Sequence, residues 1–431
     1  MRNTPKIIEL IITILIIVIV NLFSYLFQSP ITNNDGKGMD GVEYYKVAED
    51  FVNNKTPEAK APFVYRIGTP YLVSFFFEND LLNGFKTINI IAGSFIPIML
   101  LFWISLFYNS SFLRILPVVL FSLTWHSPLR LSWYYPVHSD PIAVLILLKL
   151  LFLLYLVSKD ESKYIIFNQN LLQISFILLT FIGVFFREIC VIPAFIFSLK
   201  AINFDITNLK SFKFDNFKRI QYIYLIPLIF GIFGIIITHI LVNPIGSYSF
   251  LGALGLWIYQ KSIVMNFHAL IIAFGPIIYI IFFTYLDAWN FLKKEKDLLV
   301  FLIIILFLSF AGGSDTERII YWSFPIVYLL IINSIIKNKE KVVNILFLSI
   351  ITLGQIINMR IFLTTPDYPN NYSSVLPILT PIANKFPFLD LFTMHGYWKV
   401  NVLSFFEYII LMIIAYFIFN YIKINNINTT N

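Results

Sequence analysis

Cysteine and charge are the scarcest features of this 431-residue sequence. The single cysteine, Cys190, excludes an internal disulfide and any cysteine-rich metal site. Charged residues make up 13% of the chain, whereas a soluble domain carries about 25%. The net charge of +7 does not indicate nucleic-acid binding, because excess lysine and arginine in a membrane protein mostly fix its orientation. These shortages exclude an ordinary soluble domain.

Apolar residues take up most of the chain. Hydrophobic residues account for 58% and aromatic residues for 18%, and several apolar runs reach the roughly 20 residues that span a bilayer. The first run, from about Ile7 to Phe27, follows Arg2 and Lys6 and contains no small-x-small cleavage site. This pattern favours a retained signal anchor over a cleaved signal peptide. The sequence therefore indicates an integral, multi-pass membrane protein.

The distribution of basic loops predicts the topology. Counting apolar runs gives an all-α transmembrane helical bundle of about twelve spans with both termini cytoplasmic. The loops that then fall inside are the basic ones at 158–163, 200–219, 292–297 and 337–341. Short re-entrant or interfacial helices are expected on the outer face, one of them at Ile67–Phe77. No repeat or linker separates a soluble domain, so residues 1–431 are expected to form one transmembrane domain.

Ionisable residues collect in the loops that this topology places outside. Such groups near membrane depth are costly and usually line a cavity or a pathway. Four separate outer loops each carry an arginine together with a carboxylate or histidine. The set comprises Asp35, Asp40, Arg66, His126, Arg130, His138, Asp140, Arg187, Glu188, Asp315, Glu317 and Arg318.

Carboxylates and arginines above apolar helices suit sugar transfer from a polyprenyl-phosphate donor. The lipid tail needs an apolar groove, and the departing phosphate needs its charge neutralised, which the arginine fork does well. The acceptor hydroxyl needs one base. Asp40, in a loop with three glycines, is the first choice for that base and Asp35 the second. Tyr44 and Tyr45, just behind Asp40, are candidate platforms for a sugar ring.

Each of these residues also has an ordinary structural explanation. Asp40 would serve as a helix N-cap, Asp35 as a turn residue in Asn-Asp-Gly, and Asp140 as a helix cap before Pro141. The two tyrosines would be interfacial aromatics. Arg187 with Glu188, and Asp315 with Arg318, would be mutually satisfied ion pairs. The spacing of His126, His138 and Asp140 matches no strong metal-binding pattern.

In these motifs the chain resembles the GT-C superfamily, the polytopic glycosyltransferases that use lipid-phosphate sugars. The resemblance extends to about Pro325 and depends on the order of several short motifs. They are MDGVEYYKVAED with Asp40, PFVYRIGTP with Arg66, HSDP with His138 and Asp140, FFRE with Arg187 and Glu188, and SDTERIIYWSFP with Asp315 and Arg318.

The resemblance implies an inverting enzyme with a first-loop aspartate, Asp40 or Asp35, as base. Arg66, Arg187 and Arg318 would bind the donor phosphate, and the supporting residues would be Tyr44, Tyr45, His138, Asp140, Glu188 and Asp315. Some members use a divalent cation, Mg²⁺ or Mn²⁺, and the sequence does not decide this. Many members also have a soluble C-terminal domain for the acceptor, and here the loop Arg360–Lys399 is the one segment that would substitute.

The expected partners are a polyprenyl-phosphate sugar, a glycan, lipid or protein acceptor, and membrane lipid, with no nucleic acid. A bacterial inner membrane is the expected location. Two alternatives stay open: a polysaccharide polymerase or ligase of the O-antigen type, and a transporter or flippase for lipid-linked sugars. The sequence does not specify the sugar or the acceptor.

Overall fold

The computed structural model is built almost entirely of helices. It describes residues 4–158, 169–202, 221–246, 249–313, 315–359, 363–364, 373–374 and 402–428. Apart from its two short described strands, the predicted outer loop Arg360–Lys399 lies outside these ranges, as do most of the two basic loops at 158–163 and 200–219.

The chain divides into two compact units. The first comprises Met1–Ser122 with Ser127–Ser249, and the second comprises Leu123–His126 with Phe250–Asn431. The division reflects which residues pack together within each unit. The expectation that residues 1–431 form one transmembrane domain stays a prediction.

Among its described residues the first unit contains ten α-helices, four short 3-10 helices and one two-stranded sheet. The α-helices are α1 (Ile7–Phe27), α2 (Gly41–Val52), α3 (Gly68–Phe76), α4 (Leu81–Ser105), α5 (Ser111–Leu123), α6 (Pro128–Tyr134), α7 (Asp140–Ser158), α8 (Gln169–Phe186), α9 (Ile192–Ser198) and α10 (Ile226–Leu241). The strands are β1 (Glu58–Lys60) and β2 (Asn243–Ile245), which pair in parallel.

Helix α1 shows how the local sequence sets an element of this unit. It has no proline or glycine over 21 residues, and the Lys6 backbone N–H donates to Glu9 Oε2 at 2.9 Å, which satisfies one of the amides at the helix start. The same carboxylate pairs with Arg114 NH1 at 3.1 Å, where both side chains are buried. The pair therefore joins α1 to α5.

The second unit contains ten further α-helices and one 3-10 helix, Pro276–Ile278, in the described ranges. The α-helices are α11 (Phe250–Gln260), α12 (Ile263–Phe274), α13 (Tyr279–Phe283), α14 (Tyr285–Lys294), α15 (Lys296–Ala311), α16 (Thr316–Tyr321), α17 (Phe324–Lys337), α18 (Lys339–Val342), α19 (Ile345–Asn358) and α20 (Val402–Asn428). Two short antiparallel strands, β3 (Leu363–Thr364) and β4 (Ser373–Ser374), complete it.

One of the apolar runs counted among the predicted spans, Ala269–Leu286, is expected to be a single helix, and this expectation is wrong because the chain breaks at Gly275. Helix α12 and the following helical segment Pro276–Phe283 meet at 108°. Gly275 has φ of 76°, and Pro276 begins the next turn. Gln355 of α19 bridges the break: its Oε1 accepts from the Ile277 N–H at 3.0 Å and its Nε2 donates to the Phe274 carbonyl at 2.8 Å. A side-chain amide thus replaces bonds that the bend removes.

Six helices among the described residues are long and apolar enough to cross a membrane, or seven if the bent pair counts as one span. Many of their large apolar side chains are exposed, among them Ile11, Leu15 and Leu22 on α1 and Ile232, Phe233 and Ile236 on α10. These helices fit a multi-pass membrane protein. The short helix predicted at Ile67–Phe77 is present as α3, whereas the count of about twelve spans is not confirmed.

Candidate functional site

The loop before α2 folds into a tight turn that contains Asp35. The Asn34 side chain donates to the Gly38 carbonyl at 2.7 Å, and Asn34 and Asp35 have φ of 52° and 56°. This left-handed conformation suits asparagine, aspartate and glycine. The exposed Asp35 therefore has the turn role that its Asn-Asp-Gly context suggested.

Asp40 lies directly before α2, at its N-cap position. Its side chain makes no capping hydrogen bond to the first turn of α2. It is half-buried. The next residue is held tightly: the Gly41 N–H donates to Tyr135 Oη at 2.7 Å, and a Cβ at Gly41 would lie 2.7 Å from the Val137 carbonyl oxygen. Glycine at 41 is thus required for the backbone beside Asp40 to pack against residues 135–137.

Residues 135–137, against which the backbone beside Asp40 packs, are themselves held by contacts with α4. Asn89 of α4 is buried and donates through Nδ2 to the carbonyls of Pro136 and His138, both at 2.8 Å. The His138 ring is buried, stacks on Tyr135 with centroids 5.8 Å apart, and places Nε2 3.4 Å from Ser132 Oγ. His138 therefore contributes to a rigid connection between α6 and α7.

Asp140 is the first residue of α7 and forms an ion pair with Arg187. Both side chains are buried, at 5% and 8% exposure. The sequence offered a helix-cap role for Asp140 and a pair between Arg187 and its neighbour Glu188. The structure instead joins Arg187 to a carboxylate 47 positions earlier, at the start of a helix, where negative charge is favoured.

Arg66 forms the second ion pair, with Glu188. Its Nε lies 3.3 Å from Oε2 and 3.4 Å from Oε1 of Glu188. Its NH1 donates to the Tyr44 hydroxyl at 2.7 Å. Burial raises the pKa of Glu188, but the guanidinium groups of Arg66 and Arg187 outweigh it and hold that pKa below its usual value. Glu188 is therefore a carboxylate at neutral pH, and the two ion pairs adjoin.

The two tyrosines of α2 differ in their surroundings. Tyr44 is 3% exposed and packs edge-on against Phe63, with centroids 5.8 Å apart. Tyr45 is half-buried, and the Lys37 ammonium lies 4.3 Å from its ring centroid. Burial raises the pKa of the Tyr45 hydroxyl, and the carboxylates of Glu49 and Asp80 add to that shift. Burial of the Tyr44 ring leaves it no open face for a sugar, whereas Tyr45 is partly accessible.

Asp315 and Arg318 belong to the second unit and pair with each other. Asp315 Oδ2 lies 2.7 Å from Arg318 NH2, and the side chains are 38% and 18% exposed. This is the local ion pair that their spacing suggested. Within its own unit, His126 is buried and its ring lies 6.5 Å from that of Tyr321.

Lys261 is a buried cation of the second unit that the sequence interpretation missed. It is 4% exposed and its Nζ donates to the Ser309 carbonyl at 2.7 Å, in the last turn of α15. The signal was available, since Lys261 is the one charged residue between Asn243 and His268. Its bond to a helix-terminal carbonyl is a capping interaction, which explains its burial without a ligand.

Metal binding finds no additional support in the structure. Over the part of the chain that the structure describes, no three His, Cys, Asp or Glu side chains come together to hold a metal ion. The prediction about Mg²⁺ or Mn²⁺ stays untested.

No protein-family model, curated protein or solved structure matches this chain. Most of the predicted site residues lie in the first unit. There Arg66 contacts Tyr44 and Glu188, and Arg187 contacts Asp140. These residues lie near the segment that contains Asp40, either along the chain or through packing. This arrangement places two arginines, each paired with a carboxylate, in the same unit as the half-buried Asp40.

Proposed function

We propose that this protein is a membrane glycosyltransferase that moves a sugar from a polyprenyl-phosphate donor to an acceptor hydroxyl. The observation that carries the proposal is the adjoining pair of arginine–carboxylate contacts, Arg66 with Glu188 and Arg187 with Asp140. Both lie in the unit whose first loop presents Asp40. A guanidinium held in place by a carboxylate is preorganised to stabilise charge on a leaving phosphate.

The proposed chemistry needs one base and no general acid. Asp40 would accept the proton of the acceptor hydroxyl as its oxygen attacks the anomeric carbon. The bond from that carbon to the phosphate oxygen breaks, and the polyprenyl phosphate leaves as an anion beside Arg66 and Arg187. Attack opposite the leaving group inverts the anomeric centre. Arg318, in the second unit, stays a predicted further phosphate ligand.

The membrane setting follows from the apolar helices. A polyprenyl tail needs an apolar surface, and α1 and α10 expose many large aliphatic and aromatic side chains. We extend the proposal to an outward-facing site in a bacterial inner membrane, with about twelve spans and both termini cytoplasmic. The acceptor would be a glycan, a lipid or a protein.

Sugar transfer by the purified protein in detergent tests the proposal. The protein is offered a panel of polyprenyl-phosphate sugars, and Asp40→Asn is compared with Asp35→Asn. We expect Asp40→Asn to lower kcat by about 10²–10⁴-fold, the usual contribution of a general base. Asp35→Asn should retain turnover, because asparagine also adopts the left-handed conformation of that turn. Full transfer by Asp40→Asn would contradict the assigned base.

Two other functions are separated by further measurements. An O-antigen-type polymerase or ligase would depend on outer-loop arginines and tolerate replacement of both aspartates. A transporter or flippase is favoured by one observation, the break at Gly275, since discontinuous helices mark substrate sites in transporters. Lipid flipping in vesicles without a covalent product would support that function. The Gln355 amide already satisfies the backbone there, so the break is accounted for structurally.

A further inference from the structure

We infer that Tyr44 is a positioning residue, whose hydroxyl orients Arg66 relative to the helix that begins beside Asp40. The inference deepens the proposed function and depends on it for its catalytic meaning. It assigns Tyr44 a different role from the sugar platform that the sequence suggested, because the ring is buried and the hydroxyl is engaged.

The contact between Tyr44 and Arg66 is short and shielded. The NH1 to Oη distance is 2.7 Å, Tyr44 is 3% exposed, and the Arg66 side chain is 12% exposed. Hydrogen bonds to a charged group are stronger than neutral ones, and they strengthen further where water is excluded. The hydroxyl is thus a specific anchor for one edge of the guanidinium.

Tyr44 also occupies the right place on α2. It lies four residues after Asp40, and residues four apart fall on the same face of a helix about one turn apart. The guanidinium bonded to Tyr44 is therefore attached to the face of α2 that begins at Asp40. This connection sets the separation between the proposed base and the proposed phosphate ligand.

Glu188 anchors Arg66 from a different direction. It contacts Nε, while Tyr44 contacts NH1, so two edges of one planar group are fixed by two separate elements. A planar fork held at two points keeps its orientation, whereas a lysine ammonium at the same position would not. The two anchors together define where the remaining edge of the guanidinium points.

A double-mutant cycle on transfer activity tests this role. Tyr44→Phe keeps the ring that packs on Phe63 and removes the hydroxyl. We expect it to lower kcat/KM for the donor about tenfold, with KM for the acceptor unchanged, which separates a donor-site effect from a folding effect. In an Arg66→Lys background the same change should have less than about a twofold effect, because the group that it orients is gone.

Tyr71→Phe is the matched control, since it removes a tyrosine hydroxyl at an exposed residue of α3 outside the proposed site and should leave kcat/KM within about twofold. Equal effects of Tyr44→Phe in the parent and in the Arg66→Lys background would overturn the inference. An equal loss in Tyr71→Phe would do the same. If Tyr44→Phe is not monodisperse in detergent, Tyr44→Met takes its place in the cycle, because methionine fills the space without a hydroxyl.

A second measurement keeps the inference separate from the proposed function. Phenylglyoxal modifies accessible guanidinium groups, and mass spectrometry reports its rate at Arg66. We expect Arg66 to react several-fold faster in Tyr44→Phe than in the parent or in Tyr71→Phe. Equal rates overturn the positioning role. If the parent protein transfers no sugar and Arg66 is still labelled faster in Tyr44→Phe, the enzyme proposal is refuted. The inference that Tyr44 anchors Arg66 then still holds.

Discussion

The Arg187 guanidinium is paired with the Asp140 carboxylate at the start of α7, and both side chains are almost completely buried. The pair connects the segment after α8 to the segment that packs on the loop of Asp40. Removing one partner from a buried pair leaves an uncompensated charge, which costs far more than the pair contributes as a whole.

Arg187→Met should therefore destabilise the protein by about 3–5 kcal/mol, measured by chemical unfolding in detergent. The double variant with Asp140→Leu should recover much of that loss, because no unpaired charge stays buried. Arg318→Met is the matched control, since its partner Asp315 is 38% exposed and such pairs contribute at most about 1 kcal/mol. A loss at Arg187 no larger than at Arg318 would contradict the role of burial.

Gln355→Leu should destabilise the bend at Gly275. It removes the acceptor of the Ile277 N–H and the donor to the Phe274 carbonyl, and each unsatisfied buried group costs about 1–3 kcal/mol. We expect a loss of at least about 2 kcal/mol in detergent unfolding. Gln221→Leu, at an exposed glutamine, should change stability by less than about 0.5 kcal/mol. Equal stability of the two variants would show that the amide does not support the break.

Lys261 should make the free energy of unfolding depend on pH in the alkaline range. Burial lowers its pKa to about 8 from 10.5, although the carboxylates of Glu317 and Asp315 oppose the shift. Between these two values the unfolded chain binds a proton that the folded chain has lost, so stability rises with pH, by about 1.4 kcal/mol per unit at most. Lys261→Met should remove this rise between pH 8 and 10. An unchanged slope in the variant would refute the assignment.

Glu188 should make the free energy of unfolding depend on pH in the acidic range. Its folded pKa is lowered below 4.5, mainly by Arg66 against the effect of burial. The stability that this provides is present above pH 4.5 and is lost as pH falls through the folded pKa. Glu188→Gln should therefore unfold less steeply in acid than the parent, while being less stable at pH 7. An identical acid profile would show that Glu188 carries no such shift.

The helices with uninterrupted apolar runs could be predicted from sequence. The run Ile7–Phe27 is α1, and the short helix expected at Ile67–Phe77 is α3. Length and hydrophobicity are properties of the segment itself, so no knowledge of the fold is needed. The bend at Gly275 was missed because both sides of Gly-Pro are apolar, and the run hides the signal of the two residues.

The pairing of charges could not be predicted in the same way. Asp315 and Arg318 lie one helical turn apart and do pair. Arg187 stands next to Glu188, yet each has a partner more than forty positions distant, Asp140 and Arg66. Neighbours along the chain point in different directions when the backbone is extended, as it is at Arg187 with φ of −165°. Only the tertiary fold decides which distant charges meet.

The parallel pairing of β1 with β2 has a consequence for biosynthesis. Ala59 is in register with Pro244, and Arg66 pairs with Glu188. The contacts around α2 are therefore complete only after the ribosome has passed residue 245. Parts of the chain that appear early must stay loosely associated while five more apolar spans are inserted, which are formed by α4, α5 with α6, α7, α8 and α10. Closure of this unit is therefore a late step of assembly, and a truncation before Asn243 would leave β1 without its sheet partner.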